Sequence, residues 1–205
     1  MKHVTLAGQA VTPSKIVCIG RNYVDHIAEL GNEIPNEMVV FNKPNSAIST
    51  QLFAVHHEPL HYEAEICFLV NNGQFCAVGF GLDLTKRALQ SRLKQKGLPW
   101  ERAKAFDGSA VFSDFVAIKQ SDINEQLQLR LLIDDVERQK GGVQQMMYKP
   151  GIILDELSLY THLDDGDIVM TGTPKGVGQI ESGTTFIGMI MLGDQVLVSQ
   201  TWHVE

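Results

Sequence analysis

Apolar positions along this chain fall mostly into short runs bounded by Gly, Asn, Asp or Pro, the pattern of β-strands rather than of long helices. Such runs predict strands at KIVCIG (15–20), MVVFN (38–42), YEAEICFLV (62–70), LQLRLLID (127–134), DIVMTG (167–172) and QVLVSQTWHV (195–204). Helical spacing is confined to three stretches. Residues 84–96 end at Gly97 with Pro99 beyond, NYVDHIAEL covers 22–30, and in 150–162 Pro150 suits a first turn while Ile153, Leu154, Leu157 and Tyr160 form one stripe. LLIDDVERQ reads as a hairpin turning at Asp134 and Asp135. Strands do not alternate regularly with helices, so the pattern excludes a doubly wound nucleotide-binding sheet. It predicts an α+β, sheet-dominated roll or barrel with few short helices.

Within that texture three acidic residues stand out: Glu63 and Glu65 in HYEAEICFLV, and Asp83 in GFGLDLT. Strand residues two apart share a face, so the glutamates emerge together about 7 Å apart at the backbone. Like charges about 4 Å apart at an effective dielectric near 20 repel by roughly 4 kcal/mol, a cost that a hard divalent cation reverses. The same spacing allows another arrangement. Tyr62, Ala64, Ile66, Phe68 and Val70 alternate with the acids, so the strand could bury that face and turn Glu63 and Glu65 to water. Asp83 could be only the N-cap of the following helix.

Composition narrows the class. The 205 residues, 44% hydrophobic and 20% charged, suit one globular domain over residues 1–205, and no internal repeat or low-complexity linker divides them. No apolar run approaches the roughly 18 residues of a membrane span, and MKHVTLAGQAVTPSK lacks a secretory core, which leads us to expect a cytoplasmic protein. Cys18, Cys67 and Cys76 lie in apolar runs without CxxC spacing and are expected as reduced thiols. A net charge of −7 disfavours a nucleic-acid surface.

Further chemistry sits in three motifs. GRNYVDHIAELG sets His26 and Glu29 three apart on a helix, where the carboxylate can orient the imidazole and raise its basicity; an exposed ion pair has the same spacing. WERAKAFDGS carries Lys104, catalytic or merely solvated. GDIVMTGTPKGVG ends a strand in a Gly-rich turn containing Thr173, which lacks the GK[ST] ending of a phosphate-binding loop. Between the first motif and VVFNKP, the Gly-, Asn- and Pro-rich GNEIPNE has the make-up of a lid, with Lys43 at its far end.

Taken in order, CIGRNYVDHIAELG, VVFNKP, HYEAEICFLV, GFGLDLTKRALQ, KGLPWERAKAFDGSA and GDIVMTGTPKGVG closely resemble the fumarylacetoacetate hydrolase family, in particular its short acylpyruvate hydrolase and oxaloacetate decarboxylase/tautomerase branch. The resemblance implies a mixed β-roll, a homodimer, and one Mg²⁺ or Mn²⁺ ion held by Glu63, Glu65 and Asp83. It implies His26 and Glu29 as a water-activating dyad and Lys104 as a catalytic residue. Gln90 and Thr173 match residues that meet the substrate. Arg21 and Lys43 match basic positions near its carboxylate or on the mobile segment over the site. Two departures are visible. Tyr62 stands where many relatives have a second histidine, and only 18 positions separate Glu65 from Asp83, where relatives usually carry a longer segment with helical character.

A 2,4-dioxo acid chelated through its carboxylate and C2 keto oxygens would have that carbonyl polarised, so that breaking C3–C4 leaves a pyruvate enolate. Hydrolysis of an acylpyruvate needs His26 to activate water; decarboxylation or keto–enol exchange of oxaloacetate does not. Two other classes stay open at this level: a zinc hydrolase using His56, His57 and His61, and a non-catalytic metabolite-binding relative.

Overall fold

The computed structural model describes residues 1–29 and 35–205. The expected lid segment falls partly on residues 30–34, which lie outside the described residues.

Among the described residues two larger sheets, beside three two-stranded ones, build the molecule. The larger runs, in spatial order, Val39–Pro44, Lys15–Gly20, Ile168–Met170, Ala64–Asn71, Gln74–Asp83, Ala110–Phe112 and Ile48–Ser49, with Val116–Ala117 also pairing on Gln74–Asp83. The smaller is an antiparallel four-stranded sheet ordered Val136–Gly142, Leu127–Ile133, Thr185–Leu192, Gln195–His203. Their facing sides share one core, in which Phe80 meets Trp202 with ring centroids 5.8 Å apart. Behind the larger sheet a second cluster, including Ile16, Cys67, Leu69 and Ile168, is closed partly by Val4 of the N-terminal hairpin. Ala64–Asn71 is therefore buried along both faces until its last residue. This rules out the alternative in which Glu63 and Glu65 face water.

Turn chemistry sets the registers. Asp134 and Asp135 occupy left-handed backbone at φ 48° and 62°, as a two-residue hairpin turn requires, between strands Leu127–Ile133 and Val136–Gly142. Asn72 and Gly73, at φ 49° and 70°, make a second such turn. The stretch from Glu65 to Asp83, read from sequence as a shortened loop, is thus a hairpin, with Glu65 opposite Gly81.

Among the described residues four short α-helices lie outside the sheets: α1 (Val24–Glu29), α2 (Arg87–Gln95), α3 (Glu101–Lys104) and α4 (Pro150–Ser158). α2 starts three residues later than its periodicity suggests. Thr85 exchanges backbone hydrogen bonds with His61 (2.9 and 3.0 Å) and Leu84 N–H donates to Ser109 O (2.9 Å), which keeps the chain extended up to Lys86. Asp83 is therefore the last residue of a strand and caps no helix. α4 stops at Ser158, whose hydroxyl donates to Asp155 O (2.7 Å), so Tyr160 is exposed rather than part of the apolar stripe.

Asp167, fully buried, fastens the strand pair Ile168–Met170 and Lys15–Gly20 at one end. It accepts from Ser14 N (2.9 Å), Ser14 Oγ (2.8 Å), Lys15 N (3.1 Å), Lys15 Nζ (2.7 Å) and Asp164 N (3.0 Å). Burial alone would raise its pKa, but the hydrogen bonds from Lys15 and Ser14 outweigh it and hold the carboxyl below the ordinary value. A depressed folded pKa contributes stability above the unfolded value of about 3.9, lost as pH falls through the folded pKa. Asp167→Asn is expected to lower stability at pH 7 and to flatten the acid limb, measured as urea midpoints from pH 7 to 3. A parent-like slope in the variant would show that Asp167 does not contribute to it.

Candidate active site

The predicted strand 62–70 breaks at Glu63, between the short strand His61–Tyr62 and Ala64–Asn71. There the Ala64 N–H donates to the side-chain oxygen of Gln139 (2.9 Å), and Glu63 O accepts from Asp83 N (2.8 Å). Glu63 thus faces Asp83 across the ladder, with Glu65 two residues inward. Glu63, Glu65 and Asp83 are 6%, 2% and 1% exposed, and each offers an oxygen within 4.8 Å of the other two. Asp83 Oδ1 accepts no well-aligned hydrogen bond, although Lys43 Nζ lies 2.8 Å away. Three converging buried carboxylates form the all-oxygen donor set of a hard divalent cation, and this triad could hold a metal ion. Among the described residues no other group of His, Cys, Asp and Glu offers such a set. His56 instead packs against His57 and Phe106, with centroids 5.0 and 4.9 Å apart, so the histidine-based zinc site does not form.

Basic side chains surround the acids. Lys104, at the end of α3, is 2% exposed and places Nζ 2.8 Å from Glu63 Oε2, 2.6 Å from Asp83 Oδ2 and 2.7 Å from Thr85 Oγ1. It is not a solvated lysine. Arg87 pairs with Glu63 and donates to Gln90 Oε1 (2.8 Å). Lys43 is fully buried within Val39–Pro44, with Nζ on Asp83 and also donating to Ser109 O (3.0 Å) and Lys104 O. Its expected place on a mobile segment is corrected: the strand is paired along its length with Lys15–Gly20 at the edge of the larger sheet, and the buried ammonium is committed to Asp83.

Environment separates the acids. Burial works against the ionised Glu63, but Lys104 and Arg87 outweigh it and hold Glu63 well below the usual range. Glu65 is pushed well above that range by burial and by the charges of Asp83 and Glu63; Gly172 N–H (2.7 Å) and Lys104 only partly oppose them. Lys104 is raised, because Asp83 and Glu63 outweigh its burial.

On α1, His26 is buried and its Nδ1 lies 3.3 Å from Glu29 Oε2, while Glu29 accepts from Gly176 N (3.0 and 3.1 Å). The pair is anchored in the molecule rather than a loose surface ion pair. Burial lowers the His26 pKa, with Glu63 and Glu29 opposing, so the ring is neutral at pH 7. With its proton on Nδ1 toward Glu29, Nε2 is the basic atom. One pocket is lined by Arg21, His26, Gln90, Lys104, Thr173 and all three acids. The structure therefore brings the candidate residues together except Lys43, which sits behind Asp83, and Glu29, which sits behind His26.

Sequence reasoning missed two supports. Gln139, 1% exposed, reaches from the smaller sheet to Ala64 N and donates to Thr173 Oγ1 (2.8 Å) and Pro174 O (2.7 Å), locking the strand break to the Gly-rich turn. The only signal is a polar residue at an inward-facing position, opposite the buried Leu131, in an otherwise polar strand. The second is the turn itself, whose Gly172 and Gly176 N–H groups hold Glu65 and Glu29. Gly172 has φ +94°, and a Cβ there would lie 2.9 Å from both Ile19 O and Asn22 Cβ. Gly172→Ala is expected to cost about 2–3 kcal/mol in urea unfolding from strain at a positive φ. A loss under about 0.5 kcal/mol, the usual scale for neutral surface changes, would show that the turn relaxes freely.

The family model for the fumarylacetoacetate hydrolase C-terminal domain matches residues 15–201. The chain is 36% identical to an oxaloacetate tautomerase of Escherichia coli (strain K12), over 83% of this chain and 85% of that one. It is 34% identical to the mitochondrial oxaloacetate tautomerase of Homo sapiens, over 93% and 91%. Among solved structures, the fumarylpyruvate hydrolase of Pseudomonas aeruginosa in complex with Mn²⁺ and pyruvate superposes with a TM-score of 0.88 at 30% identity, covering 99% of this chain and 95% of that one. A family match across most of the chain, joined to the same sheet-dominated architecture, makes this protein a member of the fumarylacetoacetate hydrolase family.

Proposed function

We propose that this chain is a Mg²⁺- or Mn²⁺-dependent enzyme acting on small 2,4-dioxo acids, and that it hydrolyses the C3–C4 bond of acylpyruvates. The observation that carries the reading is the His26–Glu29 pair, with Nδ1 3.3 Å from Oε2, whose imidazole lines the pocket that contains the three acids. The Mn²⁺ and pyruvate in the fumarylpyruvate hydrolase structure support the same class of site. We assign Glu63, Glu65 and Asp83 as the residues that hold the ion, and residues 1–205 as one catalytic domain acting as a homodimer. When bound, the ion supplies Lewis acidity toward the adjacent oxygens of a 2-oxo acid.

The chain's own residues do the rest. His26 Nε2 takes a proton from the water that adds to C4, and Glu29 keeps the ring in the required tautomer. As C3–C4 breaks, the acyl group leaves as a carboxylic acid and C3 receives a proton, giving pyruvate. Lys104, beside Glu63 and Asp83, and Gln90, beside Arg87, hold the polar groups of the substrate, while Arg21 and Thr173 line the same pocket. The curated relatives favour a second reading, keto–enol exchange of oxaloacetate, in which the same nitrogen moves a proton between C3 and the enol oxygen.

Following acetylpyruvate and oxaloacetate by NMR with the Mg²⁺-loaded protein resolves acetate, pyruvate, CO₂ loss and enol in one experiment. Acetate with pyruvate supports hydrolysis. Faster enol exchange without cleavage moves the assignment to tautomerase, and no change in either substrate overturns the reading. No helix among the described residues is long and apolar enough to cross a membrane.

A further inference from the structure

The cations of the pocket are not alike in what they face. Lys104 is matched by Glu63 and Asp83 and Arg87 by Glu63, while Lys43, behind the pocket, is matched by Asp83. Lys94 lines the same pocket, yet among the described residues no carboxylate lies within ion-pair distance of it. Its ammonium rests over the Trp100 ring, 4.9 Å from the centroid, and Trp100 in turn meets Phe41 at 6.1 Å. An apolar wall beside an unmatched cation strengthens whatever anion reaches it, because the local dielectric is low.

Position along α2 gives that cation a place relative to the acids. Arg87, Gln90 and Lys94 are spaced i, i+3 and i+7, one face of a helix. Arg87 is on Glu63, so at 1.5 Å per residue Lys94 lies about 10 Å further along the axis. Lys94 is half-buried, at the pocket's border with solvent. A 2-oxo acid held at the acids by its first carboxylate would bring a second carboxylate, if it has one, toward this border.

We infer that Lys94 is a specificity-determining residue that binds the distal carboxylate of a doubly charged 2-oxo acid and so selects such substrates over singly charged ones. The inference rests on the reading of the site proposed above. Burial, with Arg21 and Arg87 adding repulsion, lowers the Lys94 pKa to about 8. It is therefore mostly cationic at pH 7, and a bound carboxylate would relieve the crowding of positive charge.

The test uses calorimetric titration of the Mn²⁺-loaded protein at pH 7 with pyruvate and with 2-oxoglutarate, which has a distal carboxylate but no 4-keto group to cleave. The parent is expected to prefer 2-oxoglutarate by about ten- to a hundredfold, the usual scale for a hydrogen bond between charged groups. Lys94→Met should collapse that ratio toward one and Lys94→Arg should largely restore it; Lys94→Gln serves if the Met variant does not fold. A ratio in the neutral variants within twofold of the parent's, or a parent that binds pyruvate without preferring 2-oxoglutarate, overturns the role of Lys94 alone. A parent that binds neither acid overturns the site reading together with it.

Discussion

Asp83→Asn should weaken Mn²⁺ binding by at least about three orders of magnitude and abolish turnover, with Glu65→Gln close behind. Removing one unit charge about 4 Å from a cation at an effective dielectric near 20 costs about 4 kcal/mol for each unit of its charge, so a thousandfold is the floor for a divalent ion. Asp83 is also the acid on which Lys43 and Lys104 converge, so neutralising it leaves two buried ammonium groups with less compensation. Titration calorimetry with Mn²⁺, alongside melting temperatures with and without the ion, measures both effects. The parent should gain thermal stability from Mn²⁺ by binding of the folded state, and the variants should not. Variants that bind Mn²⁺ as tightly as the parent would refute the triad as the metal site.

His26→Ala is expected to lower acylpyruvate hydrolysis by about 10²- to 10⁴-fold, the usual worth of a positioned general base. Its effect on loss of CO₂ from oxaloacetate should be much smaller, because that reaction generates no nucleophile from water. Lys104→Ala should lower both, since its ammonium lies against two of the three acids. Both activities are to be measured on the same metal-loaded preparations. Equal losses in His26→Ala would mean that the dyad serves proton exchange at C3, which would favour the tautomerase reading.

The legible parts of this chain were those governed by local rules. Asp134 and Asp135 mark a two-residue turn wherever they sit between apolar runs, and Gly97 follows the helical pattern of α2 at φ +62°, as a helix-ending glycine does. Six of the strands and the helices α1, α2 and α4 followed from periodicity; α3 and the strands Gln74–Asp83, Ala110–Phe112 and Thr185–Leu192 did not. What escaped depends on neighbours remote in sequence. Nothing near Glu63 announces that Ala64 N–H will be taken by Gln139, 75 positions away, and so that the strand breaks there. Nothing in FNKP says that Lys43 will be sealed against Asp83, or that the start of α2 is postponed by pairing of Thr85 with His61. The acids and His26 with Glu29 were legible because their chemistry demands unusual residue types; the groups that brace them, Gln139 and two glycine N–H groups, are ordinary types made important by position.

The hairpin joining Ala64–Asn71 to Gln74–Asp83 has a consequence for how the chain folds. Its contacts are local and its turn is strongly encoded, so it belongs among the structures that form early. Zipping it up sets Glu63 opposite Asp83 with Glu65 beside them. The ammonium groups that neutralise them come from outside the hairpin: Lys43 from a strand earlier in the chain, Lys104 from a helix later in it. Until both arrive, the nucleus carries its own electrostatic brake. Divalent cations or high salt in a refolding buffer would release that brake, so the ion assigned to the finished site would also act on the route to it.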